Sequence, residues 1–131
     1  MTAEEEIRAN VKLVNDKFSS AAADTSPFGY DSHSVKRIDL FIEKLREHAD
    51  RTADGTEKLI QIFGSWFGEC IRNVYGGQWR KKGDQWGIFF DDSNAVYPFT
   101  KVRKQFELGV EGGESIHDFF EAIDTIFFHR T

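Results

Sequence analysis

Chemistry beyond packing is open to few groups in this sequence: a glutamate set in an apolar helix, one cysteine, and four histidines. Glu69 follows Gly68 in a run from Leu59 to Tyr75 that is otherwise almost wholly apolar. It is either the solvated edge of a helix, as its neighbours Arg72 and Asn73 suggest, or a half-buried carboxylate with a raised pKa that serves as a general base. The neighbours favour the edge. Cys70 falls among the apolar positions and has no histidine at a helical neighbour position to form a thiolate pair. It reads as a small hydrophobe. His33, His48, His117 and His129 are scattered, no two of them three or four residues apart, so the spacing offers no metal site. His117 and Asp118 open a helix, where capping explains them as readily as ligation. The Asp91-Asp92-Ser93-Asn94 turn gathers oxygen atoms but lacks the alternation, the glycine and the distal glutamate of a calcium loop. A hairpin turn is expected there, and no metal or cofactor anywhere. An enzyme would need Glu69 and His117 to act together as a small hydrolase, which is the weakest reading.

The basic residues are concentrated. Arg80, Lys81, Lys82, Lys101, Arg103 and Lys104 fall in one stretch, interleaved with Trp79 and Trp86, while Glu4 to Glu6 and Glu107 to Asp124 are mostly acidic. Aromatic and basic side chains together are the residue types of a stacking and phosphate-contacting surface. Against this stands a net charge of −5, which disfavours nucleic acid and anionic membrane as partners. Trp79, Arg80, Lys82, Trp86, Lys101 and Lys104 therefore form a candidate surface for a protein partner. The plainer alternative puts both tryptophans in the core and leaves the charges as a wet face.

These groups must be carried by an α+β framework. Thr2-Ala3-Glu4-Glu5 has the spacing of a capping box, and Ile7, Val11, Val14 and Phe18 make a helical stripe over residues 3–22. Loop formers from Asp24 to His33 enclose Phe28 and Tyr30, which are expected to pin the loop down. Ser32 or Ser34 caps a second helix that ends near Asp50, with Val35, Ile38, Phe41, Ile42 and Leu45 on its apolar face. Asp54-Gly55-Thr56 breaks the chain, and Thr56 caps a third helix that is apolar nearly all round and hence central. Gly64 and Gly68 sit four apart on it, a flat track for close approach by the last helix, or by a second copy in a homodimer. Gly76-Gly77 ends it. The period then becomes strand-like through 78–81, 85–90 and 95–97, a meander whose last strand Pro98 stops. A basic helix over Thr100 to Leu108 and a last helix begun by Ser115, with Ile116, Phe119 or Phe120, Ile123 and Phe127 inward, complete the order ααα-βββ-αα. Helices should pack on one face of a small three-stranded antiparallel sheet.

At 131 residues, 40% hydrophobic and 30% charged, the chain has the length and composition of a single domain, 1–131, able to bury one core. Thirteen Phe, three Trp and three Tyr make that core aromatic. The lone cysteine forms no internal disulfide, which fits a reducing cytoplasm. The acidic N-terminus has no secretory h-region, and no run of eighteen apolar residues occurs.

Two stretches carry a resemblance. Gly64-Ser65-Trp66-Phe67-Gly68-Glu69 through Gly76-Gly77-Gln78-Trp79, and Tyr97-Pro98-Phe99-Thr100-Lys101-Val102 through Phe106-Glu107-Leu108-Gly109 to Ser115 and Phe119, resemble an uncharacterised bacterial domain family of unknown function. The pattern is Gly-x3-Gly-Glu, Gly-Gly-x-Trp and Pro-Phe-x-Lys-Val. It spans roughly residues 60–120, leaves out the first two helices, and implies a fold rather than an activity. The leading expectation is a non-catalytic protein-binding module, monomer or homodimer, in a bacterial cytoplasm. An immunity-type inhibitor that masks a basic toxin with an acidic surface is the alternative.

Overall fold

Each helix is built on the stripe its sequence shows, and each ends on a group that satisfies its open backbone. The computed structural model describes residues 1–20, 27–48 and 52–129. They form α1 (Ala3–Ser19), α2 (Ser32–Arg46), α3 (Ala53–Tyr75), β1 (Gln78–Lys82), β2 (Gln85–Phe89), β3 (Ala95–Val96), α4 (Pro98–Leu108) and α5 (Ile116–Phe128). The fold is α+β in the expected order, with one antiparallel sheet ordered β1-β2-β3.

The boundaries differ where a different side chain reaches the helix end. Thr2 and Glu5 make the reciprocal capping box of α1, but the helix closes at Ser19 rather than near 22, which lies outside the described residues. Asp31, not Ser32 or Ser34, caps α2: its carboxylate accepts from the Ser34 N–H at 2.8 Å, and the Ser34 hydroxyl accepts from Gly29 instead. α2 ends at Arg46, while the expected end at Asp50 is outside the described residues. Thr52 caps α3 by accepting from the Gly55 N–H, so Asp54-Gly55-Thr56 is its first turn and not a break. α4 begins at Pro98, earlier than the expected Thr100, because a first-turn proline has its φ preset and no N–H to lose.

α3 is central, as expected, and packs against α1, α4, α5 and the sheet. Trp66 is fully buried on it, stacked on Phe28 at 5.2 Å between ring centroids, with its indole N–H donated to Asn15 Oδ1 of α1. Burying a ring of this size stabilises by on the order of 4 kcal/mol. Phe28 also stacks on Phe18, so the aromatic residues of the loop do tie it to the core.

The glycine track of α3 has a different occupant from the expected one. A Cβ on Gly64 would lie 2.4 Å from the Phe99 ring, and one on Gly68 would lie 2.2 Å from the Trp79 ring. The track thus receives the start of α4 and strand β1. α5 packs on another side of α3, through Phe67 against Phe119 and Phe120.

One polar junction lies inside this core. Asp39 of α2 is 1% exposed and Gln105 of α4 is 0% exposed. The Asp39 carboxylate accepts from the Ser115 hydroxyl, from the His117 N–H at 3.1 Å and from the Gln105 amide at 3.2 Å. Gln105 Oε1 in turn accepts from the Ile116 N–H at 2.9 Å. These two residues satisfy the opening turn of α5, whose dipole favours a carboxylate there.

Candidate functional site

Strand alternation decides where the hairpin side chains go. Gly83, at φ 61, supplies the left-handed position of a two-residue turn, which sets Trp79 opposite Ile88 and Lys81 opposite Trp86. Ile88 is fully buried, so Trp79 and Trp86 share the inner face with it, while Arg80 and Lys82 point to the other side. The six candidate residues therefore do not form one surface. Both tryptophans are half-buried. Arg80 lies over the Phe89 ring at 5.5 Å and pairs with Asp92 at 2.9 Å; Lys82 and Lys104 are exposed; Lys101 of α4 sits over the Phe119 ring at 4.3 Å. Arg80, Lys101 and Arg103, the last paired with Glu57 of α3, are engaged within the chain, while Lys81, Lys82 and Lys104 point into solvent.

Trp79 instead forms a wall of a cleft of about 590 Å³ between α1 and the corner where α3 meets β1. Ile7 and Val11 of α1 face it, Tyr30 closes one side, and Arg8, Lys12, Gln78 and Arg72 border it. Its volume falls within the roughly 300–1,000 Å³ of small-molecule sites. Trp86 lines a second, smaller cleft of about 280 Å³ with Asn10, Ser65 and Arg103.

The polar corner of the larger cleft is fixed by Glu69. Its Oε2 accepts from the Trp79 indole N–H at 3.1 Å and from Arg72 Nε at 3.2 Å, and its Oε1 accepts from Arg72 Nη2 at 2.6 Å and from Asn73 at 3.2 Å. Burial pushes the carboxyl pKa up, but the Arg72 guanidinium, the Trp79 indole and Asn73 outweigh it, and the net shift is downward. A carboxylate held ionised by these donors orients Trp79 and Arg72. It is not a poised base. On the other side of the cleft Asn15 donates to the Tyr30 hydroxyl at 3.1 Å, so both aromatic walls are held by hydrogen bonds.

The remaining reactive groups are placed equally clearly. Burial pushes the Cys70 thiol well above its ordinary pKa, with the nearby Asp31 charge adding to the shift, and the thiolate is suppressed. His117 does not meet Glu69: it lies against Ser32 Oγ at 3.0 Å, near Glu121 at 3.4 Å, and does not line the cleft. Ser32 and His117 have the residue types of a nucleophile and its base, but the Ser32 hydroxyl donates to Glu121, and His117 Nδ1 is 3.9 Å from Asp118, too far for an orienting bond. The cluster ties the first turn of α2 to α5. Asp91 accepts from the Ser93 and Asn94 N–H groups as a turn-forming residue. No group of three or more His, Cys, Asp or Glu suited to a metal occurs among the described residues, and no helix there is long and apolar enough to cross a membrane.

Sequence reasoning missed Arg8, Asn15, Tyr30, Arg72 and Gln78 as members of a site. The signal available was the alternation of Gln78-Trp79-Arg80-Lys81, which already separates Trp79 from Arg80 and sends the ring toward the helices. Compared with known proteins, the chain matches no family model, no curated protein and no solved structure.

Proposed function

We propose that the chain is a non-catalytic binding module, and that its binding site is the cleft between α1 and the α3–β1 corner rather than the outer face of the sheet. The observation that carries this reading is the Glu69 corner. A half-buried carboxylate is used up in orienting an indole and a guanidinium at the border of a cleft, which is preorganisation for recognition. Groups that would support catalysis are spent elsewhere: the Cys70 thiol is buried, and the Ser32–His117 contact serves to join two helices.

A fragment screen tests the proposal. Lys12 is exposed on the border of the cleft, so Lys12→Trp fills it without touching the core. Fragments that bind the native chain are expected to lose at least about tenfold in affinity to the filled variant, which corresponds to about 1.4 kcal/mol. They should also be recovered chemically unchanged by mass spectrometry. Binders indifferent to Lys12→Trp, or turnover of a bound compound, would overturn it.

A further inference from the structure

We infer that the cleft takes a small zwitterion bearing an aromatic or branched apolar group, the chemistry shared by apolar amino acids and by di- and tripeptides made of them. The inference deepens the binding-module reading and rests on it.

Charge balance is the first argument. The cleft is bordered by three cations, Arg8, Lys12 and Arg72, and three anions, Glu4, Asp16 and Glu69. Two of each are already matched, Lys12 with Asp16 and Arg72 with Glu69. That leaves Arg8 and Glu4, four residues apart on α1 and so neighbours on one face of the helix. The Thr2 hydrogen bonds and, after them, the Arg8 charge hold the Glu5 pKa down, but Arg8 makes no close ion pair among the described residues. A ligand with only a negative charge would gain Arg8 and face Glu4; a cation would meet the reverse. A zwitterion satisfies both, its carboxylate toward Arg8 and its ammonium toward Glu4.

The second argument is the apolar part of the same cleft. Its floor includes the buried Ile7 and Val11, and its walls are the half-buried Trp79 and Tyr30 rings. An aromatic or branched side chain would lie against those rings and remove their exposed apolar surface from water. Nucleotides and other polyanions fit poorly, because Lys12 and Arg72 are already paired and several negative charges would meet Arg8 alone beside Glu4.

Calorimetry with four probes decides it: L-phenylalanine, the dipeptide glycyl-L-phenylalanine, 3-phenylpropionate, which lacks the ammonium, and phenethylamine, which lacks the carboxylate. At least one of the first two should bind about tenfold more tightly than either single-charge analogue. Which of the two binds more tightly tells an amino-acid site from a peptide site. Arg8→Gln should weaken that zwitterion about tenfold without weakening phenethylamine, which loses a like charge; Glu4→Gln should weaken it similarly without weakening 3-phenylpropionate. Both residues are exposed, so neither variant disturbs the core. Single-charge analogues that bind as tightly as the zwitterions, or no binding by any probe, would overturn the ligand class. In that case fragments still lost on Lys12→Trp keep the cleft as the site, whereas binders indifferent to that substitution remove the cleft as well.

Discussion

Gly68→Ala lowers the thermal midpoint by roughly 6 °C, although alanine is the better helix former by about 1 kcal/mol. The reason is the Trp79 ring, two of whose carbons would lie 2.2 and 2.3 Å from the new methyl, with Pro98 at 3.0 Å on the same side. The ring cannot stay where it is. Displacing it exposes part of the indole and breaks its bond to Glu69, and overpacking of this kind costs about 2–3 kcal/mol. The same substitution at Gly29, in the loop before α2 where nothing lies within 4 Å of the added Cβ, should leave the midpoint within about 2 °C, so the pair separates crowding on α3 from the mere addition of a methyl group. Calorimetric melting of both variants checks this. A Gly68→Ala chain as stable as the native one would mean that Trp79 is not seated on α3, and the wall of the proposed site would go with it.

Asp39→Ala removes about 3 kcal/mol of stability, read as a lower urea midpoint with an unchanged slope. The substitution takes away the acceptor used by the Ser115 hydroxyl and the His117 N–H, and one of the acceptors of the Gln105 amide, in a place that water does not reach. Each buried donor left unmade costs about 1–3 kcal/mol. Gln105 still has the Asp39 carbonyl and Glu43, which limits the loss. Asp39→Asn keeps one acceptor oxygen and should lose less than half as much. If the two variants lose equally little, the junction does not hold α5 to α2 and α4.

The architecture could be read from the sequence to the extent that it depends on local periodicity. Stripes such as Ile7-Val11-Val14-Phe18 on α1 and Ile116-Phe120-Ile123 on α5 are buried as their spacing requires. Helix ends were harder, because several polar residues compete for each open N–H. Thr52 and Thr56 are equivalent by type, and only the folded backbone shows that Thr52 reaches Gly55. Gly55 looked like a breaker, yet within the first turn its missing side chain costs little once a cap is in place. Asp39 was legible but overlooked: it lies between Ile38 and Ile42 and four residues after Val35, an ionisable group on an apolar stripe.

The site was less legible than the fold for a physical reason. Glu69 and Trp79 are ten residues apart on different elements, Arg8 comes from α1 and Tyr30 from the loop before α2; docking of β1 on Gly68 and of the loop on α1 brings them round one cleft. The clustering of positive charge in sequence was misleading in the other direction. Neighbours along a strand point to opposite faces, so Trp79 and Arg80 were never on one surface.

The indole region of a nitrogen-15 spectrum tests the central claim most directly, because the chain has only three tryptophans and each reports a different place. Trp66 is in the core, Trp79 lines the larger cleft and Trp86 the smaller one. When the labelled chain is titrated with the tightest binder from the fragment screen, the Trp79 indole signal should move to saturation while that of Trp86 holds its position; Trp66, whose N–H is bonded to Asn15 of the cleft, should follow Trp79 to a smaller extent. Movement of Trp86 with Trp79 fixed, or no indole movement at a concentration where binding is complete, would contradict the account.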